Sequence, residues 1–182
     1  MKANSLRELY VEQLRDLYDA EHQIIKALPK MIGEVSSEQL RNALSEHLEI
    51  TRQQAQRLER IFENMGQKSK SEKCKGMEGL IKEGNDVVKT AEDEDMRDAA
   101  IISAAQRVEH YEMAGYGTVR TYAELLGEQE AAQLLQQTLD EEKEADQELT
   151  NLAEQINVEA GEGEVRAVAR TKGTISKGRR VA

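Results

Sequence analysis

Three helical stretches of this chain carry acids where an apolar core should lie. At about 100° per residue, Glu21 falls between Leu17, Ile24 and Leu28 on one face. Glu109 and Glu112 fall among Ala105, Val108, Tyr116, Val119 and Ala123. Glu142 and Asp146 stand in line with Leu135, Leu139, Leu149 and Ala153. A buried carboxylate is costly unless it is paired or bound to a cation. Acids converging from three apolar stripes, with no basic residue on the same faces, point to a metal site. The alternatives are a buried polar network that ties the acids to Arg57, Arg120 or Gln54, and a face turned towards another subunit.

The stripes belong to four long helices. The first is expected from about Ser5 to Met31, with Ser5 as N-cap, Glu8 completing a capping box and Gly33 breaking it. The second opens at Ser36 and Ser37, carries Leu40, Leu44, Thr51, Ala55, Leu58 and Phe62 on one stripe, and ends near Asn64 to Gly66. A lysine-rich connection leads to a short helix around Met77, Leu80, Ile81 and Val87, flanked by Gly79 and Gly84. The third long helix spans about Glu94 to Leu126, and the fourth about Glu128 to Asn157. No stretch has the period-two alternation of a strand. Helices of about 27 residues reach about 40 Å, the scale of a four-helix bundle. The expected fold is therefore all-α, over residues 1–157.

Beyond Val158 the periodicity ends. Residues 158–182 are punctuated by Gly161, Gly163, Gly173 and Gly178, and from Arg166 to Ala182 they hold six basic residues and no acid. A flexible, solvated tail is expected, with a weak electrostatic tether as the sharper alternative. The net charge of −10 disfavours nucleic acid as main partner and suits a surface that collects cations. No apolar run reaches the roughly 18 residues of a membrane span, and no signal-peptide pattern opens the chain. The single Cys74 fits a reducing, cytoplasmic setting and reads as a small buried hydrophobe.

The spacing of the acids has a physical reason. Residues three or four apart project from one helix face, so Glu109 with Glu112, and Glu142 with Asp146, can offer two oxygens each to one cluster. Carboxylate oxygens suit iron and manganese, and an imidazole favours iron over calcium or magnesium. On the second helix His47 lies near the centre of the stripe, with Gln54 further along. His47 is a candidate ligand; a hydrogen-bonded core histidine is the plainer alternative. Glu49 points away as a solvated acid, and His22 and His110 fall on outer flanks. Of Tyr10, Tyr111 and Tyr116, Tyr116 is best placed to support a redox site, against ordinary core packing. Ile50, Ile61 and Met113, off the main stripes, are candidates for a two-fold interface.

Several motifs carry a family resemblance. Arg97-Asp98-Ala99-Ala100 and Ala104-Ala105-Gln106-Arg107-Val108-Glu109-His110-Tyr111-Glu112, followed by Tyr116-Gly117-Thr118, resemble the YciE/YciF family of ferritin-like bacterial proteins. So do Leu17-Tyr18-Asp19-Ala20-Glu21, Met77-Glu78-Gly79-Leu80-Ile81 and Leu139-Asp140-Glu141-Glu142-Lys143, over a span from about Ser5 to Ala153. The resemblance implies a rubrerythrin-like di-metal bundle, a homodimer associated with bacterial stress responses and often labelled a ferroxidase. Its metal positions would be Glu21, His47, Glu109, Glu112, Glu142 and Asp146. The chain departs from many members in carrying Ile50 after Glu49, and its second helix lacks a Glu-x-x-His pair.

The resulting expectation is a centre of two Fe (or Mn) ions that oxidises Fe(II) with O2 or peroxide. Glu142 and one of Glu109 or Glu112 would bridge metals about 3.5–4 Å apart, with Glu21, Asp146 and His47 as terminal ligands. Manganese-dependent peroxide dismutation and a non-catalytic assembly protein with a vestigial site are the alternatives.

Overall fold

Side-chain caps start the helices where the sequence places them. In the computed structural model, which describes residues 5–177 and the side chains of 5–161, five helices follow one another. They are α1 (Leu6–Glu34), α2 (Glu38–Asn64), α3 (Lys75–Thr90), α4 (Glu94–Leu125) and α5 (Gln129–Lys177). Ser5 Oγ accepts the Glu8 N–H at 3.2 Å, Ser37 Oγ that of Leu40 at 3.4 Å, and Asp93 Oδ1 that of Met96 at 2.7 Å. Each satisfies a backbone donor that the helix cannot.

Two helices stop by the same device. Gly66 and Gly127 adopt left-handed φ values of 64° and 76°, which cost glycine little and other residues more. Gln67 N–H then reaches back to the Phe62 carbonyl and Glu128 N–H to that of Ala123, both at 2.9 Å, as in a Schellman end. Other glycines do not stop helices. Gly33 lies inside α1, which ends one residue later at Glu34. Gly79 and Gly84 lie inside α3 rather than flanking it. At Gly84 a Cβ would stand 2.9 Å from the Ala104 Cβ, and at Gly76 one would stand 2.7 Å from the Tyr111 ring. Glycine at these two positions lets α3 lie close against α4.

The expected end of the last long helix near Asn157 is also corrected, because α5 continues to Lys177. A mid-helix glycine costs only about 1 kcal/mol relative to Ala, and Gly161 does not take the left-handed conformation that ends α2 and α4. Residues 178–182 of the expected tail lie outside the described residues.

Packing arranges the long helices in a square. α1 packs on α2 and α4, and α5 packs on α2 and α4, so that α1 faces α5 and α2 faces α4 across the diagonals. α3 lies over α4 and α1. The core divides into two apolar clusters. One gathers Ile24, Leu28, Leu40, Leu44, Ile101 and Leu149, and the other gathers Leu14, Leu17, Leu58, Phe62, Val119 and Leu135. All four long helices pass from one cluster to the other, and at the crossing they place Glu21, His47 with Gln54, Glu109 with Glu112, and Glu142.

Ile61 does not form part of an outer interface. It is buried in the second cluster beside Phe62, because the core-facing stripe of α2 is wider than one row of residues. Ile50 and Met113 are half-buried. Among the described residues, no helix is long and apolar enough to cross a membrane.

Candidate metal centre

The polar layer lies between the two apolar clusters. Glu21, Glu112 and Glu142 are wholly buried, Glu109 is 3% exposed and His47 is 7% exposed. His47 of α2 reaches across the diagonal to α4, with Nε2 3.5 Å from Glu109 Oε1. His47, Glu109 and Glu142 each bring one ligand atom into a group whose members lie within 4.8 Å of one another. Three helices thus converge on a space the size of one cation.

The electrostatics are those of acids held too close together. Glu21, Glu109 and Glu112 all have carboxyls pushed well above the usual carboxylate range. The chief cause in each is removal from water. Negative neighbours come next: Glu142 beside Glu21 and Glu109, and Glu21 and Glu142 beside Glu112. Charges in such a low-dielectric setting repel strongly unless protons or cations intervene.

Some of these oxygens are held and others are not. The Tyr116 hydroxyl donates to Glu21 Oε1, and the Gln54 amide donates to Glu142 Oε1 and, at 3.3 Å, to Glu141 Oε2. Glu21 Oε2, Glu109 Oε2, Glu142 Oε2 and both oxygens of Glu112 are buried with no hydrogen-bond partner, as are both ring nitrogens of His47. Buried polar atoms are nearly always satisfied. So many orphaned ligand-type atoms in one layer fit a divalent metal site: hard carboxylate oxygens with one imidazole.

Asp146 borders the layer, close enough to Glu109 for its charge to help raise that carboxyl. Its carboxyl sits at the rim, 3.3 Å from both His110 Nε2 and Gln106 Nε2. His110 is exposed, whereas His22 is half-buried, its ring 4.4 Å from that of Tyr18. Tyr116, for which plain packing was an alternative, is buried and tied to Glu21. Arg120 faces elsewhere, towards Glu124 at 3.1 Å.

Arg57, expected as a possible partner of the stripe acids, is instead paired with Glu141, which no stripe position singled out. Arg57 grips Glu141 through two bonds of 2.5 and 2.6 Å and also donates to Thr138 at 3.1 Å. Glu141 is thereby neutralised beside Glu142, which among the described residues has no cationic partner and only the Gln54 amide on one oxygen. The signal available was Gln54, seven residues along the stripe from His47, with Arg57 one turn further. Buried Asp98 is likewise structural: it accepts the Ser36 and Ser37 N–H groups at 2.9 and 2.7 Å and so anchors the start of α2. Cys74, besides being buried, caps α3 and lies 3.0 Å from the Tyr111 hydroxyl.

Comparison with known proteins places this architecture in a family. Residues 5–161 match the family described as a domain of unknown function, DUF892. The chain belongs to that family. It is 46% identical over 154 residues to Protein YciF of Escherichia coli K12, covering 84% of this chain and 93% of that one. The crystal structure of the E. coli protein, described as a stress protein, superposes with a TM-score of 0.81 at 44% identity, over 85% of this chain and 98% of that one. YcfI of Rhodopseudomonas palustris, for which a structural role has been suggested, superposes with a TM-score of 0.80 at 42% identity, over 81% and 94% of the two chains. The YciF resemblance carried by the helical motifs is thus shown over nearly the whole bundle.

Proposed function

We propose that the polar layer holds two divalent ions, iron or manganese, in a ferritin-like bundle, and that the protein oxidises Fe(II) with O2 or peroxide. The observation that carries this is the charge of the layer. Glu21, Glu109, Glu112 and Glu142 are four buried carboxylates, the charge that two divalent cations would balance. His47, Glu109 and Glu142 would hold one ion, and Glu21 and Glu112 the other, with Glu142 between them. Asp146, engaged with His110 at the rim, is not needed for this balance.

When bound, the metals supply the one-electron chemistry and the open positions at which an oxidant is reduced. The protein's own residues prepare the ligands. Tyr116 fixes one oxygen of Glu21 and leaves the other free; Gln54 does the same for Glu142. Arg57 holds Glu141 out of the layer. The apolar clusters above and below the layer lower the local dielectric, which strengthens the charge interactions inside. The description of E. coli YciF as a stress protein supports a role for this chain in a bacterial stress response, in the cytoplasm.

A second reading is favoured by the Gln54 and Tyr116 hydrogen bonds, which suit a protonated structural network in a non-catalytic protein. Elemental analysis after reconstitution decides between them. About two Fe or Mn per chain is expected, and well under one overturns the proposal. Glu142→Gln should lower metal content and Fe(II) oxidation sharply. Under the second reading it should instead destabilise the metal-free protein by roughly 1–3 kcal/mol and leave metal content unchanged.

A further inference from the structure

The buried cluster is open to solvent on one side. Between α2 and α5 lies a cavity of about 140 Å3 whose lining includes Glu46, His47, Glu109, Glu141, Glu144 and Glu148. His47 and Glu109 are more than nine-tenths buried and line it from the inside, carrying ring nitrogens and a carboxylate oxygen with no hydrogen-bond partner. Glu46, Glu144 and Glu148 are exposed, and no lysine or arginine lines the cavity. Glu144 and Glu148 stand one turn apart on α5, a like-charge spacing that is unfavourable in an isolated helix. Glu141 is already neutralised by Arg57, which leaves three uncompensated acids at the opening. On their other side His47 and Glu109 border a cavity of about 30 Å3 whose remaining lining, including Ile24, Leu28 and Leu44, is apolar, so no further acid meets a hydrated cation there.

We propose that the α2–α5 groove is the route by which divalent cations reach the buried cluster, with Glu46, Glu144 and Glu148 as a capture site. The proposal rests on the metal-binding role given above to His47, Glu109 and Glu142. Three acids at the mouth of a groove with apolar walls focus the field and raise the local cation concentration. Carboxylates exchange with the water of a hard cation without binding it irreversibly. His47 and Glu109 then take the ion inward, where Glu142 completes the set.

Stopped-flow absorption of Co(II) binding to the full-length, metal-free protein tests this, since cobalt reports on its own coordination without any turnover. The triple variant E46Q/E144Q/E148Q changes only exposed side chains and should keep its circular dichroism. At low ionic strength its Co(II) association rate should fall by about 10-fold or more, the scale of electrostatic steering, with the final Co(II) content unchanged. Added salt should slow the wild type much more than the variant. A control, E63Q/E72Q/E92Q, removes the same charge elsewhere on the surface and should bind Co(II) at close to the wild-type rate. Equal rates for the wild type and E46Q/E144Q/E148Q, or equal slowing in the control, would overturn the groove proposal while leaving the buried site standing. Failure of the wild type to bind Co(II) at all would overturn both.

Discussion

The ends of the bundle and its middle layer are built by the same four helices under opposite rules. At the ends, Leu14, Leu58, Phe62 and Leu135 in one cluster, and Leu40, Ile101 and Ile102 in the other, are buried and need no partner beyond apolar neighbours. In the middle, four carboxylates are equally buried but leave five oxygens unpartnered. Other acids show that the chain can satisfy a buried carboxylate when the purpose is structural. Asp98 receives two backbone N–H groups, and half-buried Glu141 receives a guanidinium. The difference teaches that the ends answer to stability, whereas the middle has the chemistry of a site that could hold a metal ion.

The largest effect expected from this contrast is at an end. Phe62→Ala removes a wholly buried ring and should destabilise the protein by about 3–5 kcal/mol, alike with and without metal, as read from urea midpoints. A loss that depended on metal would show that the ends and the middle are not separate. Glu112→Leu should act with the opposite sign in metal-free protein. Both Glu112 oxygens lack partners, so an apolar replacement should raise stability by about 1–3 kcal/mol while lowering metal content. A destabilised metal-free variant would mean that Glu112 belongs to a structural network.

Acidity separates the two regions more gently. The carboxyls of Glu21, Glu109 and Glu112 are held above their usual range, by burial first and by neighbouring acids second. The folded metal-free protein therefore binds more protons than the unfolded chain above the normal carboxylate range. Its stability from these groups is full below about pH 4 and is lost as the pH rises through the raised values. Metal-loaded protein should lose less, or gain, because metal ligands must be deprotonated. Urea midpoints at pH 5, 6, 7 and 8 with and without chelator will show it. A metal-free protein that gains stability across that range would contradict the buried repulsion.

Particular residues explain what could be read from the chain alone. The helices were legible because apolar residues recur at three and four and because Ser5, Ser37, Gly66 and Gly127 mark ends with side chains or backbone freedom that those ends require. Glu21 was legible as a single acid on an apolar stripe, and Glu109, Glu112 and Glu142 as members of pairs three or four residues apart. Asp146 was harder to place: four residues from Glu142 it has turned about 40° further round the helix, enough to bring it to the rim. The clamp on Glu141 was not legible, since Arg57 is 84 residues away and only the packing of α2 on α5 joins them. Nor does a glycine announce its φ, which is why Gly127 ends a helix and Gly161 does not.

The smallest effect expected concerns where the end of the core that holds Leu40 and Ile101 closes. Ile156 and Ala160 are buried, and the family match stops at residue 161, although α5 itself runs on to Lys177. A chain cut after Gly161 keeps both buried residues and, among the described residues, every side chain of the two clusters. It should therefore melt within about 2–4 °C of the full chain, the shift that corresponds to about 1 kcal/mol in a protein of this size. Far-UV circular dichroism should fall only by the helix removed, and metal content should not change. A cut after Gln155 loses Ile156 and Ala160 and should cost more than the first cut. If instead the cut after Gly161 lowered the melting temperature as much as Phe62→Ala does, the apolar end would extend into the last turns of α5, and the division into two ends and one middle would have to be redrawn.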